Sequence, residues 1–170
     1  MEKMNIKIVP IKISQKEIVR NLLEKYLYEF SQYRGTDVND LGLYGFPYLD
    51  NYWTEKNRWP YFIKLNKKLI GFVFINDFPE VNIKTDYTMS EFFIMYKYRK
   101  NGIGRYCVDY LLGKHKGKWQ ITFHPRNNIS KSFWINVIND YTKGNYKIYK
   151  NIKEVKFEDG TIGYVMVFDT

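Results

Sequence analysis

Phe92-Phe-Ile-Met-Tyr-Lys-Tyr-Arg99-Lys-Asn-Gly102-Ile-Gly104-Arg105 is the stretch on which the reading of this chain turns. A bulky apolar run, Phe92 to Met95, reads as a buried strand. It is followed by a basic, glycine-bearing turn and then by Ile103, Cys107, Tyr110 and Leu111, spaced as one face of a helix. Two glycines let a backbone approach a ligand closely. The first N–H groups of a helix have no internal partners, and the helix dipole adds partial positive charge there. Strand, glycine turn and helix start together make an anion site suited to a phosphate or diphosphate. Arg99, Lys100 and Arg105 place positive charge around it. A dinucleotide fingerprint would need a third glycine where Cys107 stands. A Walker loop would need Gly-Lys-Ser/Thr, and Gly117-Lys118 is followed by Trp119.

Outward from this stretch the chain alternates strand and helix patterns. Residues 5–11 alternate as a strand. Ser14 and Glu17 have capping-box spacing, and Ile18, Val19, Leu22, Leu23, Tyr26, Leu27 and Phe30 predict a helix over about 15–33, with Gly35 as its stop. Residues 36–59 are irregular and rich in aromatics, with one short helix near 48–56. Tyr61–Leu65 and Leu69–Ile75 flank the polar turn Asn66-Lys-Lys68 as a hairpin. A strand follows at 88–95, a helix at 102–112, a strand at 119–123 and a helix at 128–139. The tail reads as a hairpin, with one strand within 146–157, an Asp159-Gly160 turn and a last strand at 162–168. The order predicts a mixed α/β chain, with residues 1–170 forming one domain.

Composition narrows the function. Apolar residues at 45% and aromatics at 19% exclude a disordered chain. One cysteine excludes an internal disulfide, and one cysteine with two histidines excludes the usual structural zinc sites, so no metal is expected. No apolar run is long enough to span a bilayer, and the first thirteen residues lack the apolar core of a signal peptide. A soluble, cytoplasmic protein is expected. The absence of alanine beside many Lys, Asn, Ile and Tyr suggests an AT-rich, bacterial genome. A net charge of +9 favours anionic partners. The charge is scattered, without a basic block, so nucleic acid is not the expected partner.

Arg99-Lys-Asn-Gly102-Ile-Gly104 resembles Arg/Gln-x-x-Gly-x-Gly/Ala, the diphosphate loop of GNAT-type N-acetyltransferases. The order of elements along nearly the whole chain is similar to that superfamily. Gly117-Lys-Trp119, followed by Asn127-x-x-Ser130-x-x-Phe133-Trp134, resembles a bacterial branch of it. The resemblance implies a single-domain fold with a central, twisted, mostly antiparallel sheet of about six to seven strands and about four helices. It implies a sheet splayed between the strands near 88–95 and 118–123, with the cofactor entering the gap.

The implied co-substrate is acetyl-CoA and the implied reaction is direct attack of an amine on the thioester. By that resemblance the backbone of Arg99, Lys100, Asn101, Gly102, Ile103, Gly104 and Arg105 holds the diphosphate. Phe93, Ile94 and Met95 offer a strand edge to the pantetheine arm, with an N–H near Ile94 polarising the carbonyl. Asn127, Ser130 and Phe133 line the same arm. Glu91 is the candidate base, or else a salt-bridged strand glutamate, and His124 is the second candidate. Trp134 occupies the position where related enzymes carry an acidic tyrosine, which leaves Tyr141, or else water, as candidate acid. Tyr44, Tyr48, Tyr52 and Trp53 are the candidate cradle of a cationic amine, with Asp37, Asp40 and Asp50 as counter-charges. The acceptor is a small-molecule or peptide amine, no membrane partner is implied, and a homodimer is allowed. The competing reading is a basic nucleic-acid-binding or regulatory module on a catalytically altered scaffold of the same kind.

Overall fold

The computed structural model describes residues 5–170; the residues of the N-terminal reading before Asn5 lie outside it. The first strand, β1, is Ile6–Pro10. The chain then enters its first long helix, α1 (Lys16–Arg34), through a 3-10 turn at Ile13–Gln15. The Ser14–Glu17 box does not form. The cap forms earlier, where the Lys12 N–H donates to Gln15 Oε1 at 3.1 Å, and Glu17 pairs with Arg20 instead. Val19, Leu22, Leu23 and Tyr26 form the buried stripe of α1. Gly35 ends it at φ +71°, its N–H returning to the Ser31 carbonyl.

A short helix, α2 (Asn51–Thr54), interrupts the irregular segment. The Glu24 carboxylate fixes that segment from α1 by accepting the Tyr44 and Gly45 N–H groups at 2.8 and 2.9 Å. The hairpin β2 (Arg58–Leu65) and β3 (Lys68–Asn76) turns through Asn66 and Lys67, both at positive φ as a primed turn requires. Then come β4 (Tyr87–Ile94), α3 (Ile103–Lys114), β5 (Lys118–Phe123), α4 (Asn128–Thr142), β6 (Tyr146–Tyr149) and β7 (Tyr164–Asp169).

The strands form one seven-stranded sheet in the order β1-β2-β3-β4-β5-β7-β6. β4 and β5 are its parallel pair and the other neighbours run antiparallel. Alternation on β2 and β3 sends successive side chains to opposite layers. Phe62, Phe72 and Phe74 pack against α1 and α2, whereas Ile63, Val73 and Ile75 pack with α3 and α4.

Two departures from regular pairing shape the sheet. Phe74 pairs with Glu91 and Ile75 with Met89, so Ser90 is an extra residue that bulges β4. β4 and β5 pair only from Tyr87↔Trp119 to Met89↔Ile121 and then part, which is the expected splay. The tail differs from the expected hairpin. β6 pairs directly with β7, and the Asp159-Gly160 turn closes only a small tip, bridged at Lys156↔Ile162, within a long connection. Asp159 accepts from the Thr161 N–H and hydroxyl, which is enough to hold a tip but not a ladder. Among the described residues no helix is long and apolar enough to cross a membrane.

Candidate active site

Where β4 leaves β5, a cleft of about 420 Å³ opens between α1, β4, the N-terminus of α3 and α4. A 3-10 turn at Tyr96–Tyr98 carries the chain from β4 to its floor. Arg99 does not offer a free charge there. Its guanidinium grips both Glu29 oxygens at 2.6 Å, and its Nε donates to the Ile94 carbonyl at 2.7 Å. This fork ties the loop to α1 and to the end of β4. Arg105 pairs with Asp140 at 2.8 Å, which leaves Lys100 as the loop cation without an ion pair among the described residues.

The backbone N–H groups of residues 100–105 find no acceptor among the described residues. Gly102, at φ +75°, turns the chain into α3. Ile103 is buried and pins that helix start to the core. A Cβ on Gly104 would stand 3.0 Å from the Phe133 ring, itself a wall of the cleft. A phosphate-sized anion fits this arrangement: free donors, a helix N-terminus and a wall kept open by the missing side chain. Asn127 accepts from the Ser130 N–H as the cap of α4, and its Nδ2 has no acceptor among the described residues. Ser130 and Phe133 line the cleft beside it.

The edge of β4 follows from its register. The Met95 N–H donates to the Ile70 carbonyl of β3 at 2.8 Å. Successive N–H groups alternate along a strand, so those of Phe92 and Ile94 face the gap toward β5. Phe93 and Ile94 line the cleft; Met95 does not, and packs against the core instead.

The bulge at Ser90 turns Glu91 into the junction of two further cavities. One, of about 200 Å³, lies in the splay between β4 and β5. The other, of about 700 Å³, runs out beneath the aromatic segment. Glu91 Oε1 accepts from Ser90 Oγ at 3.5 Å, and Oε2 is sealed from water without a hydrogen bond among the described residues. Burial pushes the carboxyl up to about 7, against the pull of the Tyr26 hydroxyl and the Arg34 guanidinium, and the Glu80 charge raises it further. His124 follows β5 on the wall of the smaller cavity. Its Nδ1 accepts the Arg126 N–H and its Nε2 faces Asp159 at 3.6 Å, while burial holds it below the ordinary histidine value. Tyr141 lines none of these cavities. It sits near the end of α4, where its hydroxyl accepts from Lys116 Nζ at 3.0 Å. Cys107 is fully buried and its thiol is pushed up to about 12, as a core side chain.

Tyr44, Tyr48 and Tyr52 line the larger cavity with Asp37. Tyr52 is mostly core: its ring lies tilted against Phe74, 4.1 Å between centroids, and the Arg58 guanidinium sits 5.2 Å from its centroid. Trp53 points away, because its indole N–H donates to the Ile11 carbonyl at 3.0 Å and anchors α2 to the end of β1. Asp50 is paired with Lys16, and Asp40 does not reach the cavity. Tyr26, Arg34, Glu80 and Ser90 belong to the walls and escape a reading by motif. A bulge is visible only as register, and Arg34 alone reads as an ordinary helix-end cation.

Residues 18–135 match the acetyltransferase (GNAT) family. No curated protein sequence matches the chain. Solved structures share the fold. An acetyltransferase from Thermus thermophilus has a TM-score of 0.69 at 12% identity, covering 100% of both chains. One from Streptococcus agalactiae has 0.63 at 14% identity, also over 100% of both. A spermidine N-acetyltransferase from Vibrio cholerae, solved with CoA and spermine, has 0.61 at 11% identity over 96% of this chain and 95% of its own.

Proposed function

The chain belongs to the GNAT acetyltransferase family, and from that membership we propose that it moves an acetyl group from acetyl-CoA to a primary amine, both substrates being bound together. The observation that carries the donor half is the run of N–H groups at residues 100–105, unsatisfied and opening on a cleft. They hold the diphosphate, with Lys100 adding charge. The outward N–H groups of Phe92 and Ile94 bind the pantetheine arm and the thioester oxygen. Asn127 Nδ2, Ser130 and Phe133 form the opposite wall. The whole of residues 1–170 acts as one acyl-CoA-binding domain, in the cytoplasm.

The acceptor enters through the 700 Å³ cavity and meets Glu91 where the cavities join. An ammonium must lose a proton before it attacks. A carboxyl held near 7 takes that proton at neutral pH far better than one at its usual value. Tyr141 takes no part, because it lines none of the three cavities and its hydroxyl meets Lys116. The spermidine N-acetyltransferase of this fold was solved with spermine, and a NatC complex of the same fold with a Gag peptide and CoA, which supports a small-molecule or peptide amine as the acceptor here. Isothermal titration of the purified protein with acetyl-CoA tests the donor half: binding is expected, and Gly104→Asp abolishes it by filling the cradle with a negative side chain. Absence of heat with any acyl-CoA overturns the proposal.

A further inference from the structure

The chain has six arginines, and five of them pair with a carboxylate: Arg20 with Glu17, Arg58 with Glu55, Arg99 with Glu29, Arg105 with Asp140 and Arg126 with Asp159. Arg34 pairs with none among the described residues. It is nonetheless held in place. Its guanidinium carbon lies 5.4 Å from the centroid of the Phe30 ring and 5.3 Å from that of the Phe157 ring. Its Nε is sealed in without an acceptor. The remaining donors are those of its two Nη groups, and Arg34 lines both the splay cavity and the larger acceptor cavity, as Glu91 does. A planar fork of donors, held against two rings and without a protein acceptor among the described residues, is shaped for a carboxylate.

We propose that Arg34 binds a carboxylate of the acceptor, and that the acceptor is therefore an α-amino acid: its amine is set at Glu91 and its carboxylate on Arg34. This rests on the acetyl-transfer reading above. The two charges of such a molecule match the two groups that line both cavities at the junction, the Glu91 carboxyl and the Arg34 guanidinium. A purely structural Arg34, stacked on two rings and complementing the C-terminus of α1, would leave the choice of acceptor unaffected.

The test compares matched pairs. The purified protein is given acetyl-CoA with each standard amino acid or with the amine left when that amino acid loses its carboxylate, and released CoA thiol is followed. The wild type is expected to prefer one or more amino acids over the matched amine by roughly tenfold to a hundredfold in kcat/KM, the range of a hydrogen-bonded charge. Arg34→Gln should bring that ratio to near one while leaving affinity for CoA unchanged, since Arg34 is not in the diphosphate cleft. Arg34→Lys, which keeps the charge and the stem but not the fork, should retain part of the preference. A wild type that acetylates both members of every pair equally, or neither, overturns the inference. So does an Arg34→Gln variant that loses both members equally. Titration with CoA alone judges the donor reading separately, since Arg34 is not in the diphosphate cleft.

Discussion

Replacing Glu91 by Gln should make the protein more stable and less active at once, and the two effects should share one pH window. The Glu91 carboxyl stands at about 7 in the folded chain against 4.5 in the unfolded one. That difference corresponds to about 3 kcal/mol. Below about 4.5 both states hold the proton and nothing is lost. Between about 4.5 and 7 the unfolded chain has released a proton that the folded chain still keeps, so stability falls as pH rises. Above about 7 the folded chain carries a buried charge and the loss is complete. Gln does not titrate, so its advantage over Glu should grow from near zero at pH 4 to as much as about 3 kcal/mol at pH 8. Urea unfolding of both proteins at the two pH values measures it, and titrating groups that do not interact with Glu91 cancel in the difference. In the same window the wild-type kcat/KM should rise with pH and level off above about 7. The Gln variant should be lower by about 10²–10⁴-fold at pH 8 and flat, as expected on losing a general base. A stability difference that does not change between pH 4 and pH 8 would refute the burial of this charge. A wild-type rate indifferent to pH from 6 to 8 would refute its use as base.

Arg99→Leu removes the fork to Glu29 and the bond to the Ile94 carbonyl; it should weaken acetyl-CoA binding about tenfold or more and cost about 2 kcal/mol of stability, read by titration and by urea unfolding. Glu29→Gln, outside the loop itself, should weaken CoA binding in the same direction but less, and equal affinity in both variants and wild type would show that the loop keeps its shape unaided. Tyr141→Phe loses only the contact with Lys116 and should leave kcat unchanged; a large fall would restore Tyr141 to the chemistry.

Much of this protein can be read along the chain because the relevant physics is local. The helix of residues 16–34, its stop at Gly35, the Asn66-Lys67 turn and the glycine loop at 102–104 each follow from a few neighbouring residues whose spacing or backbone freedom decides the outcome. The same local rule fails where two local solutions compete. Gln15 displaced Glu17 at the entry to α1, and the Asp159-Gly160 turn formed without drawing its flanks into the β6–β7 ladder.

What a side chain does once the fold is made depends on partners far away in sequence. Arg99 reads as a phosphate ligand, yet it is spent on Glu29, and Trp53 reads as an acceptor wall, yet it is tied to Ile11. Glu91 becomes a candidate base only because an extra residue in β4 turns it into a junction of cavities and strips it of water. Arg34 becomes a candidate specificity residue only because every other arginine found a carboxylate first. By itself the sequence determined the elements, their order and the glycine-lined anion loop, since those depend on short-range periodicity and backbone conformation. Burial and charge pairing are properties of the packed whole, so only the tertiary structure decided which of the charged and aromatic side chains remain free to meet a substrate.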